Sequence, residues 1–170
     1  MSSSMNKTTF VADPGQTSVT MKRRFEAPRA RVFDAMTKPE LLRRWYGPPG
    51  LEVTVCDSDL RVGGAYRIVQ RTPDGTEFGF HGVYRELLRP ARRVYTWIFE
   101  LMPDKEVVVT ETFEDIAGKT LFTSVMLFQT VEDRDGYLST GATEGGAASF
   151  DRLDELLGAS STTKGDAIAE

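Results

Sequence analysis

The segment from residue 51 to residue 131 constrains the fold most, because apolar and polar residues alternate along it in short runs. Successive side chains of a strand lie on opposite faces, so this alternation indicates strands with one buried face. Turn signals such as Pro73-Asp74-Gly75 and Ala117-Gly118 separate the runs. Consecutive strands joined by hairpins pair antiparallel. The sequence therefore predicts a meander of six strands, at residues 51–57, 64–71, 76–88, 92–100, 106–115 and 119–131.

Further elements precede the meander. Residues 19–25 alternate in the same way and predict a seventh strand, which Ala27-Pro28 ends. Two short helices are expected next, one from Arg29 to Met36 and one from Pro39 to Tyr46. The second includes Trp45.

One face of the predicted sheet is unusually aromatic. Residues of equal parity within their strands form it, and they include Tyr66, Phe80, Tyr84, Trp97, Phe99, Phe122 and Met126. Aromatic residues on one face usually fill a core. The alternative is that they form the wall of a cavity.

Residues 133–157 have helical periodicity and predict one long helix. One face of it carries Leu138, Ala142, Gly146, Phe150, Leu153 and Leu157, so this face is bulky at its ends and bare in the middle. A glycine inside a helix costs about 1 kcal/mol relative to alanine, so Gly145 and Gly146 need a reason. Either the small residues permit a close backbone approach, or they leave room for a guest molecule.

Composition excludes several classes of function. The chain of 170 residues is predicted to form one domain, at residues 17–158, between a flexible tail (1–16) and a disordered tail (159–170). A single cysteine and a single histidine argue against disulfides, histidine-based metal sites and Ser-His-Asp catalysis. The net charge of −4 argues against a nucleic-acid partner. Without a signal peptide or an apolar run of roughly 18 residues, we expect a cytoplasmic protein with no membrane span.

Two charged residues lie on the strand face whose other residues are apolar. Arg23 is in register with Met21 and Phe25, and Glu111 is in register with Val109. We expect the two to form a buried ion pair, because an unpaired buried charge would be too costly, and to orient a ligand as a polar floor. The alternative is that a bulge or a shifted register turns one of them to solvent.

The chain resembles a known superfamily in five segments. These are VTMKRRFEAPRARVFDAMTKPELLRRWYGPPG, DLRVGGAYR, PDGTEFGFHGVYRELLRPARRVYTW, TFEDIAGKTLFT and GATEGGAASFDRLDELL. They resemble the START-like helix-grip superfamily called SRPBCC, in particular its branch related to the activator of the heat-shock-protein ATPase. The resemblance implies an α+β helix-grip fold, in which a seven-stranded antiparallel sheet curves around one long C-terminal helix and two short helices lie between strands 1 and 2. It also implies a cavity for hydrophobic molecules between sheet and helix.

We therefore expect a protein that binds an apolar, lipid-like or aromatic small molecule. The candidate ligand-binding residues are Arg23, Trp45, Tyr66, Phe80, Tyr84, Trp97, Phe99, Glu111, Phe122, Met126, Ala142, Gly146 and Phe150. No catalytic residue, metal or cofactor is indicated. An enzyme of the polyketide cyclase or aromatase type and a co-chaperone-like interaction module are the alternatives. The chaperone activity of that branch belongs to a longer protein, so a chaperone partner is not favoured, while exposed strand edges are compatible with a homodimer.

Overall fold

The computed structural model describes the backbone of residues 7–169 and the side chains of residues 7–158. The elements in chain order are β1 (Thr9–Val11), β2 (Ser18–Phe25), α1 (Arg29–Thr37), α2 (Pro39–Leu42), β3 (Glu52–Ser58), β4 (Ala65–Arg71), β5 (Glu77–Leu88), β6 (Arg92–Phe99), β7 (Val107–Ile116), β8 (Lys119–Leu127), α3 (Val131–Ser139) and α4 (Ala142–Ala169). The class is α+β, as predicted.

All strands belong to one antiparallel sheet in the order β1-β2-β8-β7-β6-β5-β4-β3. The meander is confirmed, but the sheet has eight strands rather than seven. The additional strand, β1, lies in the segment predicted to be a flexible tail, of which residues 1–6 are outside the described part of the chain. It pairs with β2 at the edge of the sheet, where Thr9 is opposite Lys22.

The predicted single C-terminal helix is wrong, because the segment forms two helices. Thr130 caps α3, since its hydroxyl accepts a hydrogen bond from the Asp133 amide at 3.0 Å. Gly141 adopts a left-handed φ of 79°, which separates α3 from α4. The backbone of α4 continues to Ala169, over a segment predicted to be a disordered tail. The second short helix also ends earlier than predicted, at Leu42.

Two apolar clusters hold the helices against the sheet. The larger cluster joins α1, α2 and the middle of α4 to the strands, with Phe150 packed edge-on against Phe25 and Phe122 at ring distances of 5.9 and 5.4 Å. The smaller cluster contains Val107, Val109 and Phe128, and residues of α3 pack against it. Within the described residues, no helix has the length and apolarity needed to cross a bilayer.

Candidate functional site

A cavity of about 690 Å³ lies between the inner face of the sheet and the helices α3 and α4. Its walls come from both apolar clusters and from the loop that follows α2. Pockets that bind small molecules usually measure about 300–1,000 Å³. The volume is therefore sufficient for a guest of drug-like size.

The structure brings eleven of the thirteen candidate residues together around this cavity. They are Trp45, Tyr66, Phe80, Tyr84, Trp97, Phe99, Glu111, Met126, Ala142, Gly146 and Phe150. Arg23 and Phe122 do not line it. The phenyl ring of Phe122 is 0% exposed and packs between Phe113 and Phe150, so it belongs to the core.

Stacked rings form the sheet side of the cavity. Phe80 stacks on Trp97 and on Phe99, both with ring centroids 5.2 Å apart. Tyr66 lies edge-on to Tyr95 at 5.8 Å. These rings offer flat apolar surface on which a planar guest can stack.

The hydroxyl groups of this wall are already hydrogen-bonded. Tyr66 donates to the carbonyl of Thr96 at 2.6 Å, and the hydroxyls of Tyr84 and Ser58 are 2.6 Å apart. Burial raises the pKa values of Tyr66 and Tyr84, so both phenols remain protonated at neutral pH. They therefore contribute mainly ring surface to the cavity.

The helix side of the cavity is bare at its glycines. A Cβ atom added to Gly146 would meet nothing closer than the Met21 sulfur at 4.0 Å, and one added to Gly145 would meet only Pro48 Cγ at 4.0 Å. Both distances are ordinary van der Waals contacts, so no close backbone approach requires glycine here. Of the two explanations for the bare helix face, the structure favours the one that leaves open space.

A buried polar pair lies on the sheet side. Arg93 and Glu111 are directly opposite each other on β6 and β7, and they are 8% and 5% exposed. Arg93 Nε donates to Glu111 Oε1 at 2.5 Å, while the Tyr95 hydroxyl donates to Oε2 at 2.8 Å. The guanidinium carbon also lies 4.5 Å from the centre of the Tyr95 ring. Glu111 is thus held by two donors, and Arg93 is held against an aromatic face.

Electrostatics keep Arg93 charged and Tyr95 protonated. Burial lowers the pKa of Arg93, but the adjacent Glu111 carboxylate outweighs it, so that the pKa lies above its usual value. Burial and then the Glu111 charge raise the pKa of Tyr95 well above its ordinary value. Arg93 therefore stays charged, and Tyr95 keeps the proton that it donates.

The predicted pair of Arg23 with Glu111 is wrong because the two residues lie in different rows of the sheet. Glu111 is opposite Ser124, and Ser124 is opposite Met21. Arg23 is opposite Phe122 instead. The row that contains Glu111 thus reaches β2 at a methionine, and the carboxylate finds its cation on the other neighbouring strand.

Arg23 links the sheet to α4. Its guanidinium donates to Asp151 Oδ1 at 2.6 Å, to Asp154 Oδ2 at 3.4 Å and to the Thr8 hydroxyl at 3.0 Å. The alternative that a bulge or a shifted register turns Arg23 or Glu111 to solvent is also wrong, since both residues are buried. Its function in the described part of the chain is to hold α4 and the N-terminal segment on β2.

Sequence reasoning missed Arg93 as a cavity residue. It has the same parity as Tyr95 and Trp97 on its strand. The parity was the signal that identifies its inward position. Tyr46 and Gln70 also line the cavity and were missed.

Charged residues mark the outer part of the cavity wall. Lys105 Nζ lies 2.8 Å from Asp133 Oδ1 and connects the loop after β6 to α3. The lysine side chain is 52% exposed, so this pair lies at the solvent side. In the part of the chain that the structure describes, no group of His, Cys, Asp and Glu is arranged to hold a metal ion.

Comparison with known proteins gives a family and several structural relatives. The family described as "Activator of Hsp90 ATPase homolog 1-like protein" matches residues 26–158. A crystal structure of a protein from Rhodobacter sphaeroides is 25% identical, covers 90% of this chain and 99% of its own, and has a TM-score of 0.83. A protein from Mycobacterium smegmatis is 25% identical, covers 88% and 95%, and has a TM-score of 0.79.

A third crystal structure, of the AHSA1 protein from Silicibacter pomeroyi, agrees in fold. It is 21% identical, covers 84% of this chain and 99% of its own, and has a TM-score of 0.69. No curated protein matches the sequence significantly.

Proposed function

The chain belongs to the family of Activator of Hsp90 ATPase homolog 1-like proteins, and on that premise we propose that it binds an apolar small molecule, aromatic or lipid-like, in its cavity. One observation carries the proposal. The glycines of α4 face the aromatic wall across open space, although neither is needed for close packing. An interior helix glycine costs about 1 kcal/mol, and binding a guest gives that cost a function.

The distribution of polar groups supports the same proposal. The phenols of Tyr66 and Tyr84 are satisfied within the protein, and Arg93 and Glu111 compensate each other's charge. Apolar walls with a few placed polar groups are typical of small-molecule sites. The site therefore suits a guest that gains most of its affinity from buried apolar area.

Two measurements test the proposal. Native mass spectrometry of gently purified protein, followed by organic extraction, detects a molecule that travels with it. Titration with N-phenyl-1-naphthylamine, an uncharged apolar fluorophore, should quench tryptophan emission saturably, because both tryptophans of the chain, Trp45 and Trp97, line the cavity. A clean mass together with no saturable quenching would overturn the proposal and favour the co-chaperone-like alternative.

A further inference from the structure

Arg93 has hydrogen-bonding groups that the protein does not use. Its Nε donates to Glu111, but among the described residues neither Nη1 nor Nη2 has a hydrogen-bond partner. A guanidinium carries five N–H groups, so four remain without an acceptor. The residue as a whole is more than nine-tenths buried.

The unused groups open into the cavity. Within the described chain, the only buried side-chain nitrogen or oxygen atoms without a partner and without solvent contact are the Nε atoms of Arg23 and Arg24. The Nη atoms of Arg93 are therefore accessible, and Arg93 lines the cavity. The Tyr95 ring covers the guanidinium at 4.5 Å, and Glu111 holds its Nε, so these contacts hold the guanidinium in place with its Nη atoms unused.

The charges around the cavity decide what kind of acceptor fits. Glu111 already compensates the charge of Arg93. The other charged lining residues, Lys105, Glu132 and Asp133, carry one positive and two negative charges. A carboxylate on the guest would add a second negative charge close to Glu111 in an apolar space, where repulsion between charges is strong. A neutral carbonyl oxygen accepts two hydrogen bonds without adding charge.

We propose that the guest carries an uncharged carbonyl, as in an aromatic or lipid-like ketone or ester, whose oxygen accepts hydrogen bonds from Nη1 and Nη2 of Arg93. This inference rests on the proposed function of the cavity. Arg93 then selects the polar group of the guest, and the aromatic wall binds the apolar part of the guest. Hydrocarbons of the same shape lack the acceptor, and carboxylates of the same shape meet Glu111.

Three matched probes test this inference by isothermal titration calorimetry at neutral pH. They are 2-acetylnaphthalene, 2-isopropenylnaphthalene, in which a CH₂ group replaces the carbonyl oxygen, and 2-naphthoate. Since hydrogen bonds to a charged group are strong, the ketone should bind about 10-fold more tightly than the alkene or better, and also more tightly than the carboxylate. Equal affinity of ketone and alkene, or tightest binding of 2-naphthoate, would overturn the assignment while the cavity remains a binding site. Binding of none of the probes would overturn the proposed function as well.

A variant then locates the selectivity. The double substitution Arg93→Met with Glu111→Leu removes both charges together, which leaves no unpaired buried ion and is compatible with folding. In this variant the ketone and the alkene should bind equally, and persistence of the ketone preference would refute the role of Arg93.

A measurement without a variant uses 2-acetylnaphthalene labelled with ¹³C at the carbonyl. Its infrared stretch should move to lower wavenumber in the complex than in hexane, whereas an unshifted band contradicts the hydrogen bonds.

Discussion

Replacing Gly146 by leucine should stabilise the protein when no guest is bound. The first added atom fits without a clash, because the nearest atom to a Cβ at this position is the Met21 sulfur at 4.0 Å. Replacing a glycine inside a helix should then raise the free energy of unfolding by about 0.5–1 kcal/mol. In a chain of this length, each kcal/mol raises Tm by about 2–4 °C. We therefore expect a Tm increase of about 1–4 °C.

The same substitution should weaken binding of a guest. The remaining carbons of the leucine enter a cavity of about 690 Å³ and occupy part of the space opposite the aromatic wall. Each CH₂ group of a guest that is no longer buried costs about 0.8 kcal/mol. Exclusion of two such groups costs about 1.6 kcal/mol, which corresponds to about a 15-fold loss of affinity.

Gly158→Leu is the matched control for both measurements. Gly158 also lies in α4, has no heavy atom within 4 Å of a Cβ position, and does not line the cavity. Its substitution should raise Tm similarly and leave the affinity for N-phenyl-1-naphthylamine unchanged. Calorimetric melting and fluorescence titration of the two variants compare these effects. A lower Tm for Gly146→Leu would mean that the glycine serves close packing, and an unchanged affinity would mean that the open space binds nothing.

Three further substitutions test residues outside the cavity lining that stabilise the fold. Arg23→Met should reduce the free energy of unfolding in urea by about 1–3 kcal/mol, because it removes charged hydrogen bonds to α4; weaker guest binding would contradict this purely structural role. Phe122→Ala should cost about 3–5 kcal/mol as a core truncation, and a loss below about 1 kcal/mol would refute the packing described for this ring. Glu100 has its pKa lowered from 4.5 to about 2, first by its hydrogen bond to Arg67 and also by His81. Its stabilisation is therefore present above pH 4.5 and lost as the pH falls to about 2. Glu100→Gln should be less stable than the wild type by up to about 1 kcal/mol at neutral pH, and about equally stable at pH 2. A difference in stability that does not narrow as the pH falls would count against the ion pair of Glu100 with Arg67.

Alternation in the sequence was sufficient to predict the meander, and the five matching segments were sufficient to indicate the family; both are confirmed. It was not sufficient for β1, because three residues at a sheet edge are too few to establish a period. The break between α3 and α4 was missed for a different reason. Apolar residues continue with helical spacing across Gly141, and only its left-handed φ ends the first helix.

The sequence was sufficient to predict which face of the sheet the site residues lie on, but not which residues of neighbouring strands are opposite each other. Parity placed Tyr66, Trp97 and Glu111 on the inner side of the sheet, because side chains alternate strictly along a strand. Parity does not say which residues of neighbouring strands are opposite each other, since hairpin geometry sets the register. Arg23 was therefore wrongly paired with Glu111, and Arg93 was overlooked as the partner of Glu111.

The C-terminal segment contains turns that anchor the fold and turns that shape the cavity. Leu153 and Leu157 of α4 are buried in the larger cluster, whereas Gly136 and Tyr137 of α3 and Gly146 of α4 line the open space. Substitutions in α3 and in the first turns of α4 can thus change the size of an accepted molecule while the anchoring turns stay intact. The proposed binding of a guest molecule could therefore be altered, by evolution or by engineering, at little risk to folding.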